Sequence, residues 1–166
     1  HAPIRIGERV GVGVRGLDFF EQVFEVLSTD ELMQVLDVAT SLGIDGVRLT
    51  GGEPLLRADV VDVVRRINQL PHVPEVSVTT NGLKLTTLAQ PLRDAGLTRV
   101  NVSLDTLQPD KFLRITRRDE LARVLDGITA AQQAGFSPVK INVVVERGVN
   151  DDEIVDALHL VLEADP

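Results

Sequence analysis

The sequence contains no cysteine. These 166 residues therefore hold no disulfide framework, no thiolate zinc site and no thiolate-bound iron–sulfur cluster. The three histidines, His1, His72 and His159, fall in separate segments without metal-ligand spacing, and each reads as a surface or structural residue. No apolar run approaches the roughly 18 residues needed to span a bilayer. The amino terminus has no charged-then-apolar secretion signal, so the expectation is a cytoplasmic protein without membrane contact. Basic residues are few and scattered: 17 Lys and Arg against 25 Asp and Glu leave a net charge of -8. A field of that sign repels phosphate backbones, and nucleic acid is not an expected partner.

With 43% hydrophobic residues the chain is long enough to bury one core. From about residue 28, short β-branched runs alternate with longer amphipathic stretches, the pattern of parallel strands joined by crossover helices. Strands are expected over 47–50, 76–80, 99–104 and 139–145. A first helix starts at Ser28, with Glu31 completing a capping box, and presents Leu32, Val35, Leu36 and Ala39 as its apolar face. Further helices are expected over 59–70, stopping before Pro71, over 87–95, ending at Gly96, and over 120–134. The last carries Leu121, Val124, Leu125 and Ile128 at helical spacing, with Gly135 closing it. A short helical turn is expected over 109–115, and a last helix from Asp151 or Asp152.

Repeated strand–helix order leaves two α/β architectures open, a doubly wound sheet or a (β/α) barrel. Both place their sites beyond the carboxyl ends of the strands. Residues 1–27 are less regular: Ile4-Arg5-Ile6 reads as a strand, Val10-Gly11-Val12-Gly13-Val14 as another or a connector, and Phe19, Phe20 and Phe24 either as a plug at a barrel end or as exposed residues. Asp165-Pro166 follows a helix where another strand is expected, so the chain reads as truncated.

The most distinctive segment is Arg48-Leu49-Thr50-Gly51-Gly52-Glu53-Pro54-Leu55-Leu56, which leaves a strand through two glycines. Without a Cβ there, a ligand approaches the backbone closely and meets its amide and carbonyl groups; an ordinary strand–helix turn is the plainer reading. Arg48 and Lys140 are charges within otherwise apolar strands, where burial demands an anionic partner. That partner is either a ligand or an acidic neighbour. Thr79 and Ser103 read on their own as hydroxyls bonding locally. Asn81 and Asn101 suit a polar mouth, although Asn81 before Gly82 also suits a turn. The run Arg117-Arg118-Asp119-Glu120 and the pair Arg65-Arg66 read as solvated helix positions.

Six strings together resemble the radical S-adenosylmethionine (SAM) family, and within it the GTP 3′,8-cyclases of molybdenum-cofactor biosynthesis. They are Leu49-Thr50-Gly51-Gly52-Glu53-Pro54-Leu55-Leu56-Arg57, Thr79-Thr80-Asn81-Gly82, Arg99-Val100-Asn101-Val102-Ser103-Leu104-Asp105, Ile115-Thr116-Arg117, Val139-Lys140-Ile141-Asn142, and Gly148-Val149-Asn150-Asp151-Asp152-Glu153. The resemblance covers about residues 28–158 and implies a partial (β/α) TIM-type barrel of the radical SAM kind over 28–166. It implies SAM contacts at Gly52, Glu53 and Ser103, and GTP contacts at Arg48, Thr79 and Lys140. It also implies a lyase acting on GTP in molybdopterin synthesis, homodimers in many members, and cyclic pyranopterin monophosphate synthase as a pathway partner.

Family members bind a [4Fe–4S] cluster through three cysteines after the first strand, and a second cluster nearer the carboxyl terminus. Nothing in Gly7-Glu8-Arg9-Val10-Gly11-Val12-Gly13-Val14-Arg15-Gly16 replaces those thiolates, and the second cluster's region would lie beyond residue 166. Residues 1–27 read as an altered remnant of the first strand and cluster loop. The expectation is a chain that keeps part of a SAM and GTP cradle, as a cyclase in altered or partial form or as a non-catalytic nucleotide- or partner-binding relative.

Overall fold

Strand and helix alternate because the apolar period switches between two and three to four along the chain. The computed structural model describes residues 10–14, by their backbone, and residues 27–156. The expectations for Ile4–Ile6, the three phenylalanines, His1 and His159 lie outside these. Five strands form one sheet in the order β1 (Val10–Val14), β2 (Gly46–Gly51), β3 (Glu75–Thr80), β4 (Arg99–Ser103) and β5 (Lys140–Asn142). Between them run α1 (Thr29–Ser41), α2 (Val60–Ile67), α3 (Leu85–Asp94), α4 (Pro109–Thr116) and α5 (Leu121–Gln133).

The order settles the choice of architecture. β2 to β5 are parallel and adjacent in chain order, with no reversal of strand sequence such as a doubly wound sheet requires. One sheet face carries Val47, Leu49, Val76, Val78, Val100 and Val102, all buried against Val63, Val64 and Ile67 of α2, Leu85, Ala89 and Leu92 of α3, and Val124 and Ile128 of α5. Each such side chain contributes about 1.5–3 kcal/mol on leaving water. Helices on one face and a polar opposite face are the layering of an open segment of a (β/α) barrel. β1 departs from it: it takes the strand alternative for residues 10–14 but runs antiparallel to β2, pairing Val10 with Gly51 and Val14 with Val47.

α1 begins with the expected box, in which the Glu31 N–H donates to Ser28 Oγ and the Ser28 N–H to Glu31 Oε2 at 2.9 Å. Its buried face is Leu32, Met33, Leu36 and Thr40, rotated from the expected one, and Val35 is 56% exposed. The rotated face brings α1 against the neighbouring α2, where Arg66 pairs with Asp30 at 2.7 Å. Arg57 joins the same helix starts, bonding Thr29 Oγ1 at 2.9 Å and pairing with Asp59 at 2.6 Å. That guanidinium lowers the Asp59 carboxyl below its ordinary value, against a smaller opposing effect of burial.

Other boundaries differ modestly. α2 ends at Ile67 in turns rather than at residue 70, α3 starts at Leu85 rather than 87, and α5 matches its expected range within one residue. The last helix opens as a 3-10 turn, Asp151–Glu153. β5 is the larger correction. Residues 143–145 were expected to continue it, but pairing stops at Asn142 and Val144 is 73% exposed. An edge strand with one partner has half the ladder to hold it, and here the Val144 N–H turns instead to Asp105 Oδ1 at 2.9 Å.

Candidate ligand-binding face

The sheet face turned away from the helices is polar, and register lays it out in rows. Arg48, Ser77 and Arg99 share one row; Thr79, Asn101 and Lys140 share the next; Ser103 and Asn142 form a third. Four of the expected site residues, Arg48, Thr79, Ser103 and Lys140, therefore stand on one surface that no helix covers among the described residues. Arg48, Ser103 and Lys140 are exposed and Thr79 is half-buried. The expectation from burial is corrected here: neither Arg48 nor Lys140 is a buried charge. Because their strands alternate, the apolar neighbours point to the helices while the cations point to water. Neither makes an ion pair among the described residues, so the alternative of an acidic neighbour for Arg48 is not met there. Arg99, in the Arg48 row, pairs with Glu75.

The polar rows are locally braced. Asn101 is buried and its Nδ2 donates to Val78 O at 3.2 Å and to Thr79 Oγ1 at 3.4 Å, which orients the threonine hydroxyl. Ser103 makes no side-chain hydrogen bond among the described residues, leaving its hydroxyl available.

Beyond β2, Gly51 adopts φ 143, a conformation that strains any residue with a Cβ. Gly51 and Gly52 are exposed, so their backbone is open at the strand's carboxyl end. Glu53 is not. Its Oε1 accepts from the Leu55 N–H at 3.0 Å and from Thr80 Oγ1 at 2.6 Å, and its Oε2 accepts from the Asn81 N–H at 2.7 Å. Both carboxylate oxygens are spent tying the turn after β2 to the turn after β3. Asn81 takes the turn-forming alternative, with its Oδ1 accepting from the Leu83 N–H at 3.0 Å.

Sequence reasoning missed three partners. Thr80, buried beside the chosen Thr79, accepts from the Gly82 N–H at 3.1 Å while donating to Glu53. Gly127 lies mid-helix where a Cβ would stand 2.3 Å from Gly82 O, so α5 presses directly on the same turn. Glu153 is 3% exposed and accepts from Thr106 Oγ1 and the Leu107 N–H, both at 2.8 Å, with Lys111 Nζ at 2.9 Å. Burial pushes that carboxyl up, but Lys111, the Leu107 N–H and the Thr106 hydroxyl outweigh it and leave it below the ordinary value. The available signal was the string from Gly148 to Glu153, although the partners of Glu153 lie some 46 residues away.

The exposed Gly51–Gly52 backbone and the free Ser103 hydroxyl fit a ligand with an amino acid end, as SAM has. An iron–sulfur cluster fits nothing here: the chain has no cysteine, and no group of His, Asp and Glu among the described residues is placed to hold a metal ion. No helix among the described residues is long and apolar enough to cross a membrane.

A family model described as "Radical SAM superfamily" matches residues 16–161. The chain is 48% identical over 150 residues to the GTP 3′,8-cyclase of Lactiplantibacillus plantarum, covering 90% of this chain and 45% of that protein. It is 51% identical over 142 residues to the GTP 3′,8-cyclase of Streptomyces coelicolor, covering 85% and 42%, and 50% identical over 139 residues to that of Pseudomonas putida, covering 84% and 42%. The chain spans less than half the length of these curated relatives.

Proposed function

The chain belongs to the radical SAM superfamily, and from that premise we propose that its polar sheet face is the SAM- and GTP-binding part of a GTP 3′,8-cyclase barrel. The observation that carries the reading is the convergence of Arg48, Thr79, Ser103 and Lys140 on the sheet face that no helix covers among the described residues, beside the open Gly51–Gly52 turn. SAM lies at the Gly52 and Ser103 end, where backbone groups and a hydroxyl meet its amino acid portion. Glu53 acts there indirectly, by fixing the turn. GTP lies along Arg48, Thr79 and Lys140. From β2 to β5 is three strand spacings, roughly 14 Å between backbones, a span that suits an elongated nucleotide better than a single phosphate. A guanidinium and an ammonium without ion-pair partners among the described residues bind phosphate without first breaking a bridge there.

These 166 residues supply no thiolate for a cluster, and with it no route to a radical. That lack of ligands favours a second reading within the same site, in which the chain binds both ligands and does not turn them over. On the first reading the lyase step belongs to molybdopterin synthesis, with homodimerisation and cyclic pyranopterin monophosphate synthase as further expectations; on either reading the proposed surroundings are cytoplasmic.

Calorimetric titration tests the reading. SAM and GTP should each bind, Arg48→Ala should weaken GTP roughly tenfold or more, and Ser103→Ala should weaken SAM alone. No heat for either ligand at millimolar concentration would contradict it.

A further inference from the structure

The exits of β3 and β4 are built alike. In each, a buried threonine hydroxyl, Thr80 or Thr106, donates to a glutamate from another segment, Glu53 or Glu153. The next N–H, of Asn81 or Leu107, donates to the same carboxylate, at 2.7 and 2.8 Å. The N–H after that, of Gly82 or Gln108, donates back to the threonine oxygen, at 3.1 Å in both. Each clasp therefore ties one strand's exit to another segment at the site end of the sheet. The first braces the Gly51–Gly52 turn, while the second contains no residue assigned above to a ligand.

Its place suggests a role. Lys140 stands on β5, three residues long and paired, among the described residues, with β4 alone. Beyond Asn142 the chain is fastened back to residues 105–111 at successive points. The Val144 N–H reaches Asp105 Oδ1, Asn150 Nδ2 reaches Asp105 O at 2.6 Å and Val144 O at 2.9 Å, and Glu153 closes on Thr106, Leu107 and Lys111. A neighbouring strand normally fixes such an end; among the described residues these bonds do.

We propose that the Glu153–Thr106 clasp is a positioning device that holds Lys140 in its row with Thr79 and Asn101, and so sets affinity for the phosphate-bearing ligand without touching it. The inference rests on the GTP reading above. It assigns Glu153 and Thr106 to one ligand's side of the face and not to the other's.

The full chain and its Thr106→Val, Thr106→Ser, Glu153→Gln and Lys140→Gln variants are titrated with GTP and with SAM. Thr106→Val and Glu153→Gln should weaken GTP roughly tenfold and leave SAM within about twofold, while Thr106→Ser, which keeps the hydroxyl, binds both as the parent does. Where Thr106→Val is too unstable to titrate, Glu153→Gln, similar in volume, carries the same expectation. Equal weakening of both ligands, or unchanged GTP affinity in Thr106→Val and Glu153→Gln, overturns the proposal. Lys140→Gln separates the two levels. If it leaves GTP affinity unchanged, the reading of the face fails and the inference with it; if it weakens GTP while the clasp variants do not, the inference alone fails.

Discussion

Gly127 occupies the middle of α5 because a side chain there has nowhere to go. In an exposed helix interior, replacing glycine by alanine stabilises by about 1 kcal/mol; here the new Cβ would meet Gly82 O at 2.3 Å and Leu85 Cβ at 3.3 Å. Overpacking of this kind costs about 1–3 kcal/mol, and the obstacle is a backbone carbonyl that cannot swing aside. Gly127→Ala is therefore expected to destabilise by about 1–2 kcal/mol in urea unfolding, reversing the sign given by helix propensity. Glu153 makes a second residue-scale prediction. Its folded value lies below the ordinary 4.5, so its contribution to stability is fully present above that value and is lost as pH falls through the lower, folded one. The stability gap between the parent and Glu153→Gln, measured by urea unfolding, should shrink between about pH 7 and pH 3; a constant gap would contradict the assignment. Neither residue's packing role is legible from its local sequence. Gly127 interrupts no period, and Glu153 sits among acidic neighbours that read together as a helix start. For Arg48 and Lys140 the apolar neighbours suggest burial, whereas strand alternation exposes both.

At the scale of elements, what was legible had a local cause. The α1 capping box, the strands around Val76–Thr80 and Arg99–Ser103, and α5 with its Leu121, Val124 and Ile128 face are all specified within a few residues of themselves. What escaped depends on partners distant in the chain. α1 turned its buried face to Met33 because of where α2 lies, and β5 stopped at Asn142 because Asp105 captured Val144. The packing of α3 between the sheet and α5 yields a direct expectation. Leu92 is fully buried in this layer, and Leu92→Ala should cost about 2–5 kcal/mol, read as a fall in the urea midpoint with an unchanged slope. A cost below about 1 kcal/mol would mean that the helix layer is looser than described.

For the whole molecule, chain-order strands and helices on one face make an open barrel segment, and the opposite face, which no helix covers among the described residues, is polar. A chain of net charge -8 nevertheless presents Arg48 and Lys140 there without ion-pair partners among the described residues. After anaerobic reconstitution with iron and sulfide, metal analysis should find no stoichiometric cluster in this chain; a stoichiometric one would require ligands that the sequence does not suggest. The central claim, that the uncovered face binds SAM at one end and GTP along the other, is tested most directly by amide chemical-shift mapping. SAM should move the resonances of Gly51, Gly52 and Ser103, and GTP those of Arg48, Thr79 and Lys140. Shifts clustered on the helix layer, or no shifts with either ligand, would contradict it.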